Sequence, residues 1–135
     1  MIRIAVFPSL RHEVDRLFDS LVHSAWGSRP GEPCWMPPTD VLEDLDHYRI
    51  EIDVPGVPPS NISITAEGRS LKVAGARERS KHTSRARHHM LERSTGRFER
   101  NFHVPDDADL DTIGARVDDG VLSIEIAKRK GGRTR

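Results

Sequence analysis

The chain has 135 residues, of which 36% are hydrophobic, 31% charged and 5% aromatic, a length that suits one domain with extensions. Its 21 basic and 21 acidic residues balance, so no overall field attracts nucleic acid or a membrane surface. The single cysteine, Cys34, excludes an intrachain disulfide and favours a reducing compartment. No apolar run is long enough to span a bilayer, and charged residues interrupt any N-terminal signal sequence. We therefore expect a cytoplasmic protein.

The first periodic segment covers residues 9–22. Its apolar residues recur at spacings of three and four, which predicts an amphipathic helix. Residues 24–38 are rich in proline and glycine, as in a linker, yet they contain both tryptophans. We expect a flexible arm over residues 1–38 whose apolar side chains either pack on their own domain or bind another protein. These side chains are Leu10, Val14, Leu17, Phe18, Leu21, Trp26 and Trp35.

From about Thr39 the hydrophobic period changes to two, which indicates β-strands with one apolar face. The alternating runs are residues 48–54, 61–66, 71–75, 97–104 and 115–126. The last run contains Asp119-Gly120, a dipeptide suited to the positive backbone angles of a tight hairpin turn. A lone hairpin is only marginally stable in water, so the runs predict an antiparallel β-sandwich over residues 39–128. A short basic tail, residues 129–135, is expected to be disordered.

One connection between the predicted strands is long. Residues 77–90 are basic, polar and without a hydrophobic period, which predicts an exposed loop with room for a short strand near residues 88–91. The loop contains His82, His88 and His89, but no cysteines or helically spaced carboxylates accompany them. We interpret the three histidines as exposed loop residues and expect no metal and no cofactor.

A series of motifs runs through the predicted sandwich. They are Trp35…Pro38-x-Asp40-Val41, Tyr48-x-Ile50-x-Ile52-Asp53-Val54-Pro55-Gly56-Val57, Leu71-x-Val73-x-Gly75, Glu92-Arg93-x-x-Gly96-x-Phe98-x-Arg100-x-Phe102-x-Val104-Pro105 and Ala115-x-x-x-Asp119-Gly120-Val121-Leu122. Together they resemble the α-crystallin domain of small heat-shock proteins of the bacterial type. The resemblance covers about residues 35–128, which is most of the chain.

This resemblance implies an immunoglobulin-like sandwich that works as an ATP-independent holdase chaperone. Such a protein binds partly unfolded client proteins, prevents their aggregation under heat or other stress, and leaves them for ATP-driven refolding chaperones. The resemblance also implies a homodimer, with higher oligomers left open, in which loop 77–91 crosses to the partner's strand at residues 38–42. The implied interface residues are Pro38, Val41, Leu42, His88, Met90, Leu91 and Arg100. Arg100 corresponds to the family's signature arginine; the alternative is a solvated arginine on a strand.

The resemblance also points to a groove as a second client-binding surface. It is lined by Ile62, Ile64, Ala115 and Val117, although the favoured interpretation is that these four residues fill the sandwich interior. In the family a C-terminal Ile-x-Ile motif usually docks in this groove, but residues 128–135 contain no such motif, and Ile124-Glu125-Ile126 lies within a predicted strand. Ile2-Arg3-Ile4 is an alternative occupant. We therefore expect a dimer or a small assembly.

Other classes of function fit the sequence less well. A glycine-rich phosphate loop, a nucleophile elbow and a paired-cysteine site are all absent from the sequence, so we expect no enzyme. The basic loop and tail lack aromatic residues for base stacking, so we expect no nucleic-acid partner. The remaining alternative is a monomeric p23-like co-chaperone or interaction module on the same sandwich, which a size measurement separates from a dimer.

Overall fold

The computed structural model of the protein describes residues 2–7, 35–80, 82 and 85–130. Within these residues, eight strands form two four-stranded sheets, in the orders β1-β4-β5-β6 and β2-β3-β8-β7. The strands are β1 (Arg3–Phe7), β2 (Thr39–Glu43), β3 (His47–Asp53), β4 (Ile62–Glu67), β5 (Ser70–Arg77), β6 (Gly96–His103), β7 (Gly114–Asp118) and β8 (Val121–Ala127). All pairings are antiparallel except that of β1 with β4. The predicted β-sandwich is confirmed.

The interior is built from strands whose apolar residues alternate with polar ones. On β8 the side chains of Leu122, Ile124 and Ile126 are buried, and on β3 Ile52 and Ile50 lie opposite Leu122 and Ile124. The facing sheet supplies the equivalent residues of β4, β5 and β6. The other buried apolar residues are Val54, Val57, Ile62, Ile64, Ala66, Leu71, Val73, Phe98, Val104, Ala108 and Leu110. Each large side chain buried in this way stabilises the fold by roughly 1.5–3 kcal/mol relative to exposure.

The turn between β7 and β8 has the geometry that its sequence predicted. Asp119 and Gly120 have φ angles of 53° and 77°, both in the left-handed region. The carbonyl of Gly120 also accepts a hydrogen bond from the N–H of Val54 at 2.7 Å, which ties the hairpin to the end of β3.

The structure differs from the sequence prediction in three places. β1 was not predicted as a strand, because its residues do not alternate. No strand forms at residues 88–91 of the single chain, since no strand lies beside them to accept and donate hydrogen bonds. The sandwich also takes in residues outside the predicted bounds of 39–128, namely β1, Trp35, whose N–H donates to the carbonyl of Arg97 at 3.0 Å, and Arg129, whose N–H donates to the carbonyl of Asp107 at 2.7 Å.

Gly75 on β5 lies where a side chain would not fit. A Cβ atom at this position would lie 2.6 Å from Cζ of Phe98 and 2.8 Å from the carbonyl oxygen of Asn61. Both neighbours are held in place, Phe98 by the core and Asn61 by the 3₁₀ turn Pro59–Asn61. The absence of a side chain therefore lets β5 approach β6 and the end of this turn.

We predict that Gly75→Ala lowers the free energy of unfolding by about 1–3 kcal/mol, because the added methyl group forces Phe98 or the backbone to move. Gly114→Ala is the matched control, since no atom lies within 4 Å of a Cβ at Gly114. Urea denaturation of both variants measures the difference. Equal stability of the two variants would contradict the prediction.

Candidate functional site: the open edges of the sandwich

Large apolar side chains that stay exposed in the described residues lie at the sheet edges or in the connecting segments. They are Ile4, Val6, Met36, Val41, Leu42, Leu45, Met90 and Leu91. The outer face of the β3–β8 pair is instead polar and carries an ion pair between Arg49 and Glu125, which lowers the pKa of the Glu125 carboxyl. Apolar surface for binding is therefore offered by the edges and not by the outer faces of the sheets.

β2 is an edge strand with one open side. It pairs with β3 along its whole length, whereas no described strand pairs with its other side. Val41 lies opposite the buried Ile50 and so faces the interior, yet it is 62% exposed, because the facing sheet does not cover it. An uncovered strand edge of this kind is a template for pairing with a strand of another chain.

A cleft of about 510 Å³ opens between β2 and the end of β6. Ile50, Val104 and Ile126 line it with buried side chains, and Val41 and Phe102 line it with exposed or half-buried ones. The cleft adjoins the open side of β2, so one bound segment could pair with the strand and also place an apolar side chain in the cleft.

Arg100 lies on β6, the edge strand of the other sheet. It stands opposite Val73 and on the same face as Phe98, which directs it toward the interior side of the sheet. Its guanidinium lies 5.9 Å from the ring centre of Phe102, and no carboxylate among the described residues lies within ion-pair distance of it. Arg100 is therefore half-buried near Phe102 of the cleft, and its guanidinium could pair with a carboxylate of another chain. Its place in a dimer interface remains a prediction.

The loop between β5 and β6 carries two exposed apolar side chains. Met90 is 74% exposed, and about half of Leu91 is exposed. His88 is exposed as well, as predicted for a loop residue. The segment around these three residues is irregular coil with a bend at His89 rather than strand.

The turn that follows β2 is held rigidly. Oδ1 of Asp44 accepts hydrogen bonds from the N–H groups of Asp46 at 2.9 Å and His47 at 2.8 Å. These two bonds favour the charged carboxylate and lower the pKa of Asp44. On the last residue of β2, Glu43 accepts a hydrogen bond from Nζ of Lys128 at 2.6 Å. These bonds hold the end of β2 and its turn in one conformation in the single chain, which lowers the entropic cost of binding a partner.

Tyr48, another residue of the cleft, is fixed by a short hydrogen bond. Its hydroxyl donates to Oδ1 of Asp107 at 2.6 Å, and Nζ of Lys128 lies 5.1 Å from the ring centre. The bond to Asp107 is the main cause that raises the pKa of Tyr48 to about 12, with burial and the negative charge of Asp107 adding to it. The phenol therefore stays protonated and joins β3 to the segment that follows β6.

The opposite edge of the sandwich is covered by the protein's own N-terminus. β1 pairs in parallel with β4, and Ile4 lies opposite the buried Ile64. Ile2 also packs against the core. The segment Ile2-Arg3-Ile4, one of the expected groove occupants, therefore lies at the groove edge, here supplied by the same chain.

The four residues predicted to line a client-binding groove divide into two pairs. Ile62 and Ile64 are fully buried in the core, while Ala115 and Val117 on β7 are half-buried and pack against it. Ile62 and Ile64 therefore fill the sandwich, and a role of Ala115 and Val117 in client binding remains a prediction.

Trp35, assigned to the arm from the sequence, packs on the domain instead. Its ring meets that of Phe98 edge to face, with centres 5.3 Å apart, and its Nε1–H donates to the carbonyl of Gly96 at 3.0 Å. Pro38 and Met36 beside it remain exposed. The predicted helix over residues 9–22 and the other arm residues, Leu10 to Trp26, lie outside the described residues.

No group of three or more His, Cys, Asp or Glu side chains is placed to hold a metal ion in the ranges that the structure describes. In those same ranges, no helix has both the length and the apolar character required to cross a membrane.

Comparison with known proteins identifies the family. The sequence profile of the Hsp20/alpha crystallin family matches residues 40–135, more than half of the chain. The spore protein SP21 of Stigmatella aurantiaca is 35% identical over 83% of this chain and 66% of its own length. The small heat shock protein C2 of Rickettsia felis is 30% identical over 93% of this chain and 83% of its own length.

Solved structures agree with this result. The hspA protein from Xanthomonas axonopodis is 38% identical with a TM-score of 0.64, over 70% of this chain and 95% of that protein. A small heat-shock protein from Xylella fastidiosa, described as having a distinct high order structure, is 34% identical with a TM-score of 0.68, over 75% of this chain and 93% of that protein. The chain therefore belongs to the Hsp20/alpha crystallin family, as its motifs suggested, and has the chaperone role of a small heat shock protein in the stress response.

We predict that Tyr48 titrates at about 12, well above the ordinary value of about 10 for tyrosine. Because the pKa is raised in the folded state, the stability that the hydrogen bond contributes is complete below pH ~10 and is lost as the pH rises toward 12. Tyr48 is the only tyrosine, so ultraviolet absorbance of tyrosinate reports it alone.

Asp107→Asn should bring this titration back toward the ordinary value, and Asp106→Asn, whose side chain does not reach Tyr48, serves as the control. An unshifted pKa in the folded wild-type protein, with folding followed by circular dichroism, would contradict the prediction.

Proposed function

We propose that the protein is an ATP-independent holdase that binds partly unfolded proteins reversibly and prevents their aggregation under heat or other stress. The observation that supports this most directly is the distribution of apolar surface. The sandwich interior is filled by its own side chains, and the exposed apolar groups lie at the edges and in the segments attached to them. Such surface suits binding to many partners, and ATP-driven chaperones would then refold the released clients in the cytoplasm.

The main client-binding segment in this proposal is residues 8–34. Its apolar residues are those of the predicted helix together with Trp26. Burial of apolar area yields roughly 25 cal/mol per Å², so a few hundred Å² gives a useful and reversible affinity. Both ends of the segment meet the sandwich, at β1 on one side and at Trp35 on the other. This arrangement would hold the segment beside the domain while it adapts to clients of different shape.

We further propose a homodimer in which the loop around Met90 and Leu91 pairs with β2 of the partner chain. The open side of β2 would supply main-chain hydrogen bonds, and the cleft lined by Val41 would accept an apolar side chain. Charge supports the same pairing, since the loop carries Arg85 and Arg87 whereas β2 and its turn are acidic. Arg100 would lie at the rim of this contact.

The client-binding part of the proposal is tested in the full-length chain. We predict that Leu17→Ser with Phe18→Ser removes most of the suppression of aggregation, because each apolar side chain contributes roughly 1.5–3 kcal/mol when buried. The measurement is light scattering of a heated client enzyme without ATP. Arg11→Ser with Asp15→Ser, on the polar side of the same predicted helix, is the control. Full activity of the Leu17 and Phe18 variant would overturn the assignment of residues 8–34.

The dimer is tested by light-scattering mass over a range of concentrations. We predict that the wild-type protein is at least a dimer and that Val41→Glu makes it monomeric, because a carboxylate would enter the apolar cleft. Leu45→Glu is the matched control, since Leu45 is 90% exposed and does not line the cleft. A monomeric wild-type protein would refute the dimer and favour the p23-like alternative.

A further inference from the structure

Arg77 is the only charged side chain buried among the described residues, with 7% of its surface exposed. It ends β5, where the chain enters the loop to β6. No acid neutralises it in the described residues. Its guanidinium donates instead to backbone carbonyls, from Nη1 to Pro55 at 2.8 Å and from Nε to Ser94 at 2.8 Å. Burial, together with the nearby positive charge of Arg93, lowers the pKa of Arg77.

The bond to Ser94 closes the loop at its base. Arg77 lies immediately before residues 78–95, and Ser94 lies at the other end of this loop, just before β6. Nη2 of Arg77 donates to the same Ser94 carbonyl, so both hydrogen bonds restrain one point of the backbone. The guanidinium fork therefore sets the separation and direction of the two chain segments that carry the loop.

Trp35 joins this cluster from a third part of the chain. Its ring covers the guanidinium of Arg77, with Cζ 4.2 Å from the ring centre. Its Nε1–H donates to Gly96, and its backbone N–H donates to the carbonyl of Arg97 at 3.0 Å. Trp35 also marks the point at which residues 8–34 join the domain on their C-terminal side. One cluster thus holds both ends of the loop and the exit of the N-terminal segment.

We propose that Trp35 and Arg77 form a clasp that positions loop 78–95 for its contact with the partner chain. Both are positioning residues, because they act on the ends of the loop without needing to touch the partner. Without the clasp the loop ends would be held only by their strands, and ordering the loop on binding would cost more entropy. This inference rests on the proposed dimer, so the test includes one readout that is independent of dimerisation.

A second arginine of the same domain provides a control. Arg69 donates from Nη2 to the carbonyls of Ala108, at 2.9 Å, and Pro105, and from Nε to the carbonyl of Val104 at 3.4 Å. It therefore uses the same chemistry on a different loop. Replacement of either arginine by lysine removes a comparable set of hydrogen bonds to backbone carbonyls, but only Arg77→Lys loosens loop 78–95.

The experiment compares full-length wild type, Arg77→Lys, Trp35→Leu, Trp35→Phe and Arg69→Lys. Limited trypsin digestion at dilution, where the chains are monomeric, gives the rate of cleavage after the arginines of the loop. Dilution light scattering gives the dimer dissociation constant, and thermal unfolding gives the global stability. We expect Arg77→Lys and Trp35→Leu to speed cleavage in the loop and to weaken the dimer, each by about ten-fold. Trp35→Phe, which keeps a ring over the guanidinium, should show a smaller effect, and Arg69→Lys should leave the rate of cleavage in the loop unchanged.

The proposal is overturned if loop cleavage in Arg77→Lys and Trp35→Leu is no faster than in Arg69→Lys. It is also overturned if cleavage rises while the dimer constant stays the same, because the position of the loop would then not matter for pairing. If Arg77→Lys does not fold, the two Trp35 variants decide the question. A wild-type chain that is monomeric at every concentration refutes the dimer alone, and the cleavage rates still show whether the clasp holds the loop.

Discussion

The strict alternation of buried and exposed residues on the central strands is the constraint on which the rest of the structure depends. Ile50 and Ile52 on β3 and Ile62 and Ile64 on β4 of the other sheet are all buried in one filled interior. A shift of one residue in register would turn each of these side chains outward, so the register is strongly specified. Because the interior is complete, any association of this protein has to use its edges and the segments that extend from them.

The two edges of the sandwich differ in a way that directs association. On one side of the sandwich β1 of the same chain pairs with β4, whereas on the other side β2 and β6 have no partner strand on their outer sides in the described residues. An open edge is normally a hazard for aggregation. The open edge of β2 carries acidic residues and ends in the fixed turn at Asp44. These features would disfavour pairing with most strands and favour pairing with a basic segment. The loop between β5 and β6 is such a segment, and in our proposal Arg77 and Trp35 hold its base.

The sequence predicted the sandwich well because apolar and polar residues alternate along most strands, so each strand shows which of its faces is buried. It also predicted the tight turn, because aspartate tolerates and glycine favours the left-handed backbone angles that Asp119 and Gly120 adopt. Local sequence patterns could not predict contacts between residues that are far apart in the sequence. Trp35 lies among prolines, so it resembled an arm residue, yet its hydrogen-bond partner Gly96 is 61 positions away.

β1 and Arg77 show the same limit of sequence reasoning. After Arg3 the residues of β1 are all apolar and do not alternate, and only their pairing with β4 makes them a strand. Arg77 opens a basic stretch and looked like one more solvated loop residue, because nothing nearby in the sequence indicates that Trp35 covers it. The predicted helix and its apolar stripe lie outside the described residues, so their role in client binding remains a prediction.

The most direct test of the account is hydrogen–deuterium exchange of the full-length protein, alone at low and high concentration and together with a heat-unfolded client. Association through the edges predicts new protection of β2 and of residues 85–93 at high concentration, and of residues 8–34 when the client is present. The central strands β5 and β8, already hydrogen-bonded on both sides, should not change. Unchanged exchange in β2 and in residues 8–34, in a sample that has bound client, would contradict the account.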